Sequence, residues 1–246
     1  MIKWLTVALL LIVCNGVGAQ TPTPADVHLK LSLAENKTVY RIGEPIVVVM
    51  EFTADRDGYL IEFLPDGNQP GSDTVVISPD TGVIRWIDDI ANNVPRHVFS
   101  TEKLSSSPKR LEISLNDRLR FDSPGRYTVN VTTRRVSLAG SKGPFTLQTN
   151  PVSFEVQSMS DEDESKEIKR LSALLAVAGD WQSEDKIAKQ LFYLTGDPST
   201  REKVRRFLHP EDRKGNYHTH LWFGLFIARN RALVLKLLES GMRDPN

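Results

Sequence analysis

The chain has 246 residues, with 31 basic and 31 acidic side chains. That length allows one or two domains with real cores, and the charge balance leaves no overall field to favour nucleic acid or an anionic membrane. Hydrophobic residues at 40% and charged residues at 25% place it among soluble globular proteins.

The first 19 residues read as a signal peptide. Lys3 gives a positive start, Trp4 to Cys14 is continuously apolar, and Val17-Gly18-Ala19 fits a small-residue cleavage site before Gln20. The apolar run is too short to span a membrane comfortably. Val13 precedes Cys14 where a bacterial lipobox wants Gly, Ala or Ser, which argues against lipidation. Cleavage removes Lys3 and leaves 30 basic against 31 acidic residues. It also removes the sole cysteine, and with it any disulfide, thiol nucleophile or thiolate metal site. An exported chain without disulfides suits the bacterial periplasm, and no integral membrane segment is expected after the signal is lost. Residues 20–26 form a short Pro- and Thr-rich leader.

Residues 27–157 carry the period-two alternation of β-strands. Val27 to Leu33 is a first strand and Ile46 to Phe52 a second. Asp55-Arg56-Asp57-Gly58 reads as a hairpin turn into Tyr59 to Leu64, with Pro65 to Asn68 as the next turn. Asp55 and Asp57 invite a calcium loop, but Leu60 and Asp66 stand where such a loop wants Gly and Glu, so the turn is preferred. Val75 to Ile77 and Val83 to Ile87 are further strands, and residues 91–108 a long polar surface connection. Leu111-Ile113-Leu115 and Tyr127-Val129-Val131 flank Asp122-Ser123-Pro124-Gly125 and predict two antiparallel strands around a turn. Phe145 to Val156 closes a set of about eight short strands, the count of a β-sandwich.

Two features carry a resemblance. Lys37, Tyr40, Gly43, Glu44 and Ile46 fall on the Lys-x-x-Tyr-x-x-Gly-Glu-x-Val/Ile segment that leads into the second strand of macroglobulin-like and related bacterial immunoglobulin-like domains. Tyr127, two residues after Gly125, resembles the tyrosine corner of immunoglobulin-like sandwiches, whose hydroxyl bonds back to upstream backbone. The resemblance implies such a sandwich, without its disulfide, and implies no catalytic residues.

At Ser158 the composition changes. Residues 158–167 (SMSDEDESKE) form an acidic linker and helix start, with Ser160 as cap and Asp161 to Glu164 in a solvated first turn. From 168 to 246 the period is helical. Ile168, Leu171, Leu174, Leu175 and Ala178 make one face; Ile187, Leu191 and Leu194 make the next. Ser199 to Glu202 reads as a capping box opening a third helix. Leu221 to Ile227 and Leu233 to Leu238 supply two more. Asp197-Pro198 recurs as Asp244-Pro245 at a HEAT-like offset, so these helices resemble HEAT-type pairs, with a small bundle as the alternative. The abrupt shift predicts that few contacts cross the 158–167 segment.

No catalytic motif is present, and neither a catalytic, a cofactor nor a metal residue is nominated. His209, His218 and His220 are the densest imidazole group, read as loop and helix-start residues in preference to a metal site. Trp222, Phe223 and Phe226 suit either a core or a peptide groove. Arg201, Lys203, Arg205 and Arg206 are read as a solvated helix face, not a nucleic-acid surface. The expected function is a periplasmic or secreted, non-catalytic protein-binding or scaffolding module, with another protein as partner and no cofactor. A protease inhibitor using residues 91–108, or a hydrolase with a site between the two parts, are the alternatives.

Overall fold

The computed structural model describes residues 24–63, 73–86, 100–141, 143–209 and 217–243. The signal peptide, most of the leader, the Pro65–Asn68 turn, residues 91–99 and Asp244-Pro245 lie outside them. Thirteen described strands precede five described helices.

The alternation Val48, Met50, Phe52, Ala54 makes β3 (Val47–Ala54) a strand with one buried side. It pairs antiparallel with β1 (Val27–Leu33) on one edge and β8 (Lys109–Ser114) on the other. A second sheet is organised by β10 (Gly125–Thr133), whose Tyr127, Val129 and Val131 point inward. One edge takes β5 (Asp73–Ser78); the other takes β12 (Leu147–Gln148) and β13 (Val152–Gln157). Beyond β13 lies β2 (Val39–Arg41), paired in parallel as the outer strand. Three-stranded β4 (Tyr59–Phe63), β7 (Ser100–Leu104) and β11 (Val136–Leu138), and the pair β6 (Val83–Arg85) with β9 (Leu119–Phe121), complete the β part. The inward faces of these sheets share one apolar core. In that region Asp73 and Arg135, both buried, meet in a bidentate ion pair at 2.7 to 3.0 Å.

Several sequence expectations change. Leu111–Leu115 and Tyr127–Val131 do not pair with each other, because a 3-10 turn at Leu115–Asp117 and the short β9 carry the chain from one sheet to another. Asp55–Gly58 likewise leads from β3 into a strand paired with β7 and β11 instead of back onto β3. Part of the supposed surface connection, residues 100–104, is the strand β7. Tyr127, by contrast, is buried and its hydroxyl donates to Ser123 O at 2.7 Å, the upstream bond anticipated for a corner.

The helices are α1 (Asp161–Val177), α2 (Trp181–Tyr193), α3 (Asp197–Leu208), α4 (Tyr217–Phe226) and α5 (Arg231–Arg243). Among them α1 packs on α3 and α3 on α5 in one row, while α2 packs on α4 in a second; α1 meets α2, and α3 meets α4, across the rows. Ser160 caps α1 and Asp180 caps α2, each accepting from the N–H three residues on. The capping box does not form. Helix α3 starts three residues earlier, at Asp197 with Pro198 in its first turn, and Glu202 pairs with Arg205 and Arg206 instead. On α1 the inner face is Glu164, Ile168 and Leu171, whereas Leu174 is exposed.

Candidate functional site

A small set of side chains makes contact across the strand–helix boundary. Trp86, at the end of β6, sits edge-on to Phe192 of α2 with ring centres 5.2 Å apart, and 6.4 Å from Phe223 of α4. The Tyr193 hydroxyl donates to Asp117 and lies 3.2 Å from Ser114 Oγ; burial, then the Asp117 charge, push its pKa far up. Arg120 of β9 donates to Ile227 O, and Arg229 donates to Asp122 Oδ1 at 3.1 Å. Gly43 lies against α2's end: with φ +84° it needs the left-handed region, and a Cβ there would stand 3.1 Å from Leu194 Cα. Met159 packs against both the β core and the α1–α2 core.

Beside this seam opens a cleft of about 630 Å³ between the outer strand β2 and helices α1 and α2. Val39, Pro45, Met159 and Leu194 supply apolar lining. The segment that carries the macroglobulin resemblance builds one wall. Tyr40 hooks its hydroxyl onto Lys37 O at 2.8 Å and stands edge-on to Phe154, so its ring is buried; burial, then Glu44, push its pKa up to about 12. Glu44 pairs with Lys37 and accepts from the Arg41 N–H at 3.0 Å, which closes the turn. Helix α1 builds the other wall. Arg170 makes a two-pronged pair with Glu167 at 2.6 and 2.8 Å and also donates to Gln190 at 3.1 Å. A long contact, Arg41 to Asp163 at 3.7 Å, crosses between the walls. The cleft lining therefore mixes apolar groups with side chains of both charge signs, and the Arg41–Asp163 contact bridges its walls.

Sequence reading found Lys37, Tyr40, Gly43 and Glu44 but not their partners. Parallel pairing of Val39–Arg41 with Glu155–Gln157 is what places this turn beside α1, and no local periodicity encodes a contact across more than a hundred residues.

The other residues singled out from sequence fall elsewhere. Among the described residues no three acids, imidazoles or thiols could hold a metal ion. His220 on α4 bonds to Asp185 of α2 at 2.6 Å, His209 follows α3, and the His218 side chain is outside the description. Asp55 bonds to His28 at 2.9 Å. The basic helix is a solvated face only in part: Arg201 and Arg205 are exposed, whereas Arg206 and Lys203 are buried, the Lys203 ammonium donating to Phe192 O at 2.9 Å, to Leu194 O and to Gly224 O at 3.4 Å. Burial pushes its pKa down to about 7, opposed by the Glu164 charge. Among the described residues no helix is long and apolar enough to cross a membrane.

No protein-family model and no curated protein matches the chain. Among solved structures it is similar to a β-glucosidase from Listeria innocua in complex with glucose, at 16% identity and a TM-score of 0.25, covering 53% of this chain and 16% of that one. It is similar to BslA, a bacterial hydrophobin, at 16% identity and a TM-score of 0.25, covering 56% of this chain and 99% of that one. A third similarity is to astrotactin-2, a vertebrate-specific, perforin-like membrane protein, at 12% identity and a TM-score of 0.20, covering 87% of this chain and 36% of that one. This chain thus spans only 16% of the length of the β-glucosidase it matches.

Proposed function

We propose that this protein is a non-catalytic, protein-binding module of the bacterial periplasm or cell exterior, and that its binding site is the cleft between β2 and α1–α2. In this reading the β part is an immunoglobulin- or macroglobulin-like sandwich and the helices are HEAT-like. The observation that carries the proposal is the make-up of the cleft. Its lining mixes the apolar groups of Val39, Pro45, Met159 and Leu194 with charged side chains of both signs, a combination that protein interfaces use. The signal-like first 19 residues support export.

The test uses the exported full chain and an Arg41→Glu/Arg170→Glu variant, cross-linked in cells and compared by mass spectrometry. Both positions are solvent-facing, so the fold should survive, which a thermal melt checks. At least one protein cross-linked through β2 or α1 should be lost from the variant. Identical cross-linked sets from the two proteins would rule the cleft out.

A further inference from the structure

The turn that joins β3 to β4, Asp55-Arg56-Asp57-Gly58, is anchored on both sides of one free junction. The Asp55 N–H donates to Asp26 O at 2.9 Å, and its carboxylate bonds to His28 at 2.9 Å. Arg56 donates to the Asp26 carboxylate and to the Tyr59 hydroxyl at 3.0 Å, and that hydroxyl donates to Asp26 Oδ1 at 2.8 Å. Gly58 O accepts from the Ala139 N–H at 2.8 Å. Between these anchors Asp57 and Gly58 are both exposed. Among the described residues neither the Asp57 carboxylate nor the Gly58 N–H has a hydrogen-bond or ionic partner. Gly58 stands at φ +103°, in the region that favours glycine, so the turn itself keeps a side chain away from the position after Asp57.

An aspartate carboxyl carbon and the nitrogen of the next residue are spaced along the chain to close a succinimide ring. Three things oppose closure in a folded protein: a Cβ on the next residue that crowds the attack, a hydrogen bond that holds the N–H, and an ion pair that holds the carboxylate. Asp57 has none of the three. Asp122 shows the contrast, since Ser123 follows it and both Arg120 and Arg229 grip its carboxylate. Among the described residues Asp57 is also the one aspartate that a glycine follows.

We propose that Asp57 is a site of spontaneous isoaspartate formation. The Gly58 nitrogen attacks Cγ of the Asp57 carboxyl in its acid form. The N–Cγ bond forms, and the Cγ hydroxyl leaves as water with the proton of the N–H. Water then opens the ring in one of two ways. Attack at Cγ restores aspartate, whereas attack at the Asp57 main-chain carbonyl breaks the original peptide bond and leaves the chain running through Cβ and Cγ. Nothing is oxidised or reduced, and the water lost is the water regained. The product carries an extra methylene in the main chain, beyond the ~3.8 Å spacing of an ordinary peptide unit, which draws Gly58 O off the Ala139 N–H. This chemistry depends on neither the cleft nor its occupant.

The test incubates the full chain in neutral buffer, then denatures it and cuts it with chymotrypsin, which separates residues 53–59 from the second Asp-Gly pair at Asp66-Gly67. Chromatography with mass spectrometry should show a second form of that peptide, equal in mass, that accumulates with time and that an isoaspartyl methyltransferase labels. It should form about tenfold or more faster than any isomer at Asp122, and within about threefold of its rate in the same chain unfolded in urea, because the fold raises no barrier at this junction. In the modified fraction the Ala139 amide should exchange faster. Asp57→Ser should abolish the new form and leave the melt of fresh protein unchanged. Absence of the isomer from the native chain, its persistence in Asp57→Ser, or an equal rate at Asp122 overturns the proposal.

Discussion

The Glu164 carboxylate of α1 caps the amino terminus of α3. One oxygen accepts from the Gly196 N–H at 2.8 Å and the Ser199 hydroxyl at 3.1 Å, and the other lies 3.3 Å from the Ser199 N–H. A Cβ at position 196 would stand 2.3 Å from Glu164 Oε2, so a side chain there would displace the capping carboxylate. An acid from a run that looks solvated thus neutralises the positive end of a helix thirty residues away, and couples the first helix pair to the second.

Glu164→Ala should therefore destabilise the protein by about 1–3 kcal/mol, the range for stranding buried donors. Glu164→Gln should lose less, since its carbonyl still accepts. Urea midpoints of the two variants measure this. An alanine variant as stable as wild type would show that α3 is capped by other means.

Tyr127→Phe keeps the ring stacked among Phe121 and Phe154 and deletes only the bond to Ser123 O. A loss of about 0.5–1.5 kcal/mol is expected, the net worth of one hydrogen bond. The check is a denaturation midpoint with an unchanged slope.

The seam between strands and helices predicts a single melting transition. Tyr193→Phe removes a buried bond to a carboxylate, and about 1.5–3 kcal/mol should go with it. Trp86→Ala removes the aromatic packing on Phe192 and should lower the midpoint further. Calorimetry of both variants should still give one peak; two separated peaks in wild type would mean the seam does not couple the parts.

Lys203 carries a pH dependence. Its pKa is about 7 when folded against the ordinary lysine value of 10.5. Between those values the unfolded chain binds the extra proton, so stability from this group rises with pH from about 7 to 10.5. Lys203→Met should remove that slope and lower stability at every pH, because three carbonyl oxygens lose their donor. Urea midpoints at pH 7 and pH 9 for both proteins give the comparison; equal slopes would refute the assignment.

The sequence by itself determined the local order of this protein: strands up to Gln157, helices from Asp161, the turn glycine at 43, the cap Ser160, and the Tyr127 bond. These follow from periodicity and from contacts within a few residues, which a linear reading can see. Tertiary structure alone decided which strands pair, so that Leu111–Leu115 joins β3 and not β10, and β2 lies parallel to β13. It also turned residues that look solvated into interior ones. Lys203 and Glu164 are charged and sit in polar runs, yet both are buried, since helix ends leave carbonyls and N–H groups that only a distant charged side chain reaches here. The cleft belongs to the same class, because its two walls are set more than a hundred residues apart and meet only when the sheet edge docks on the helices.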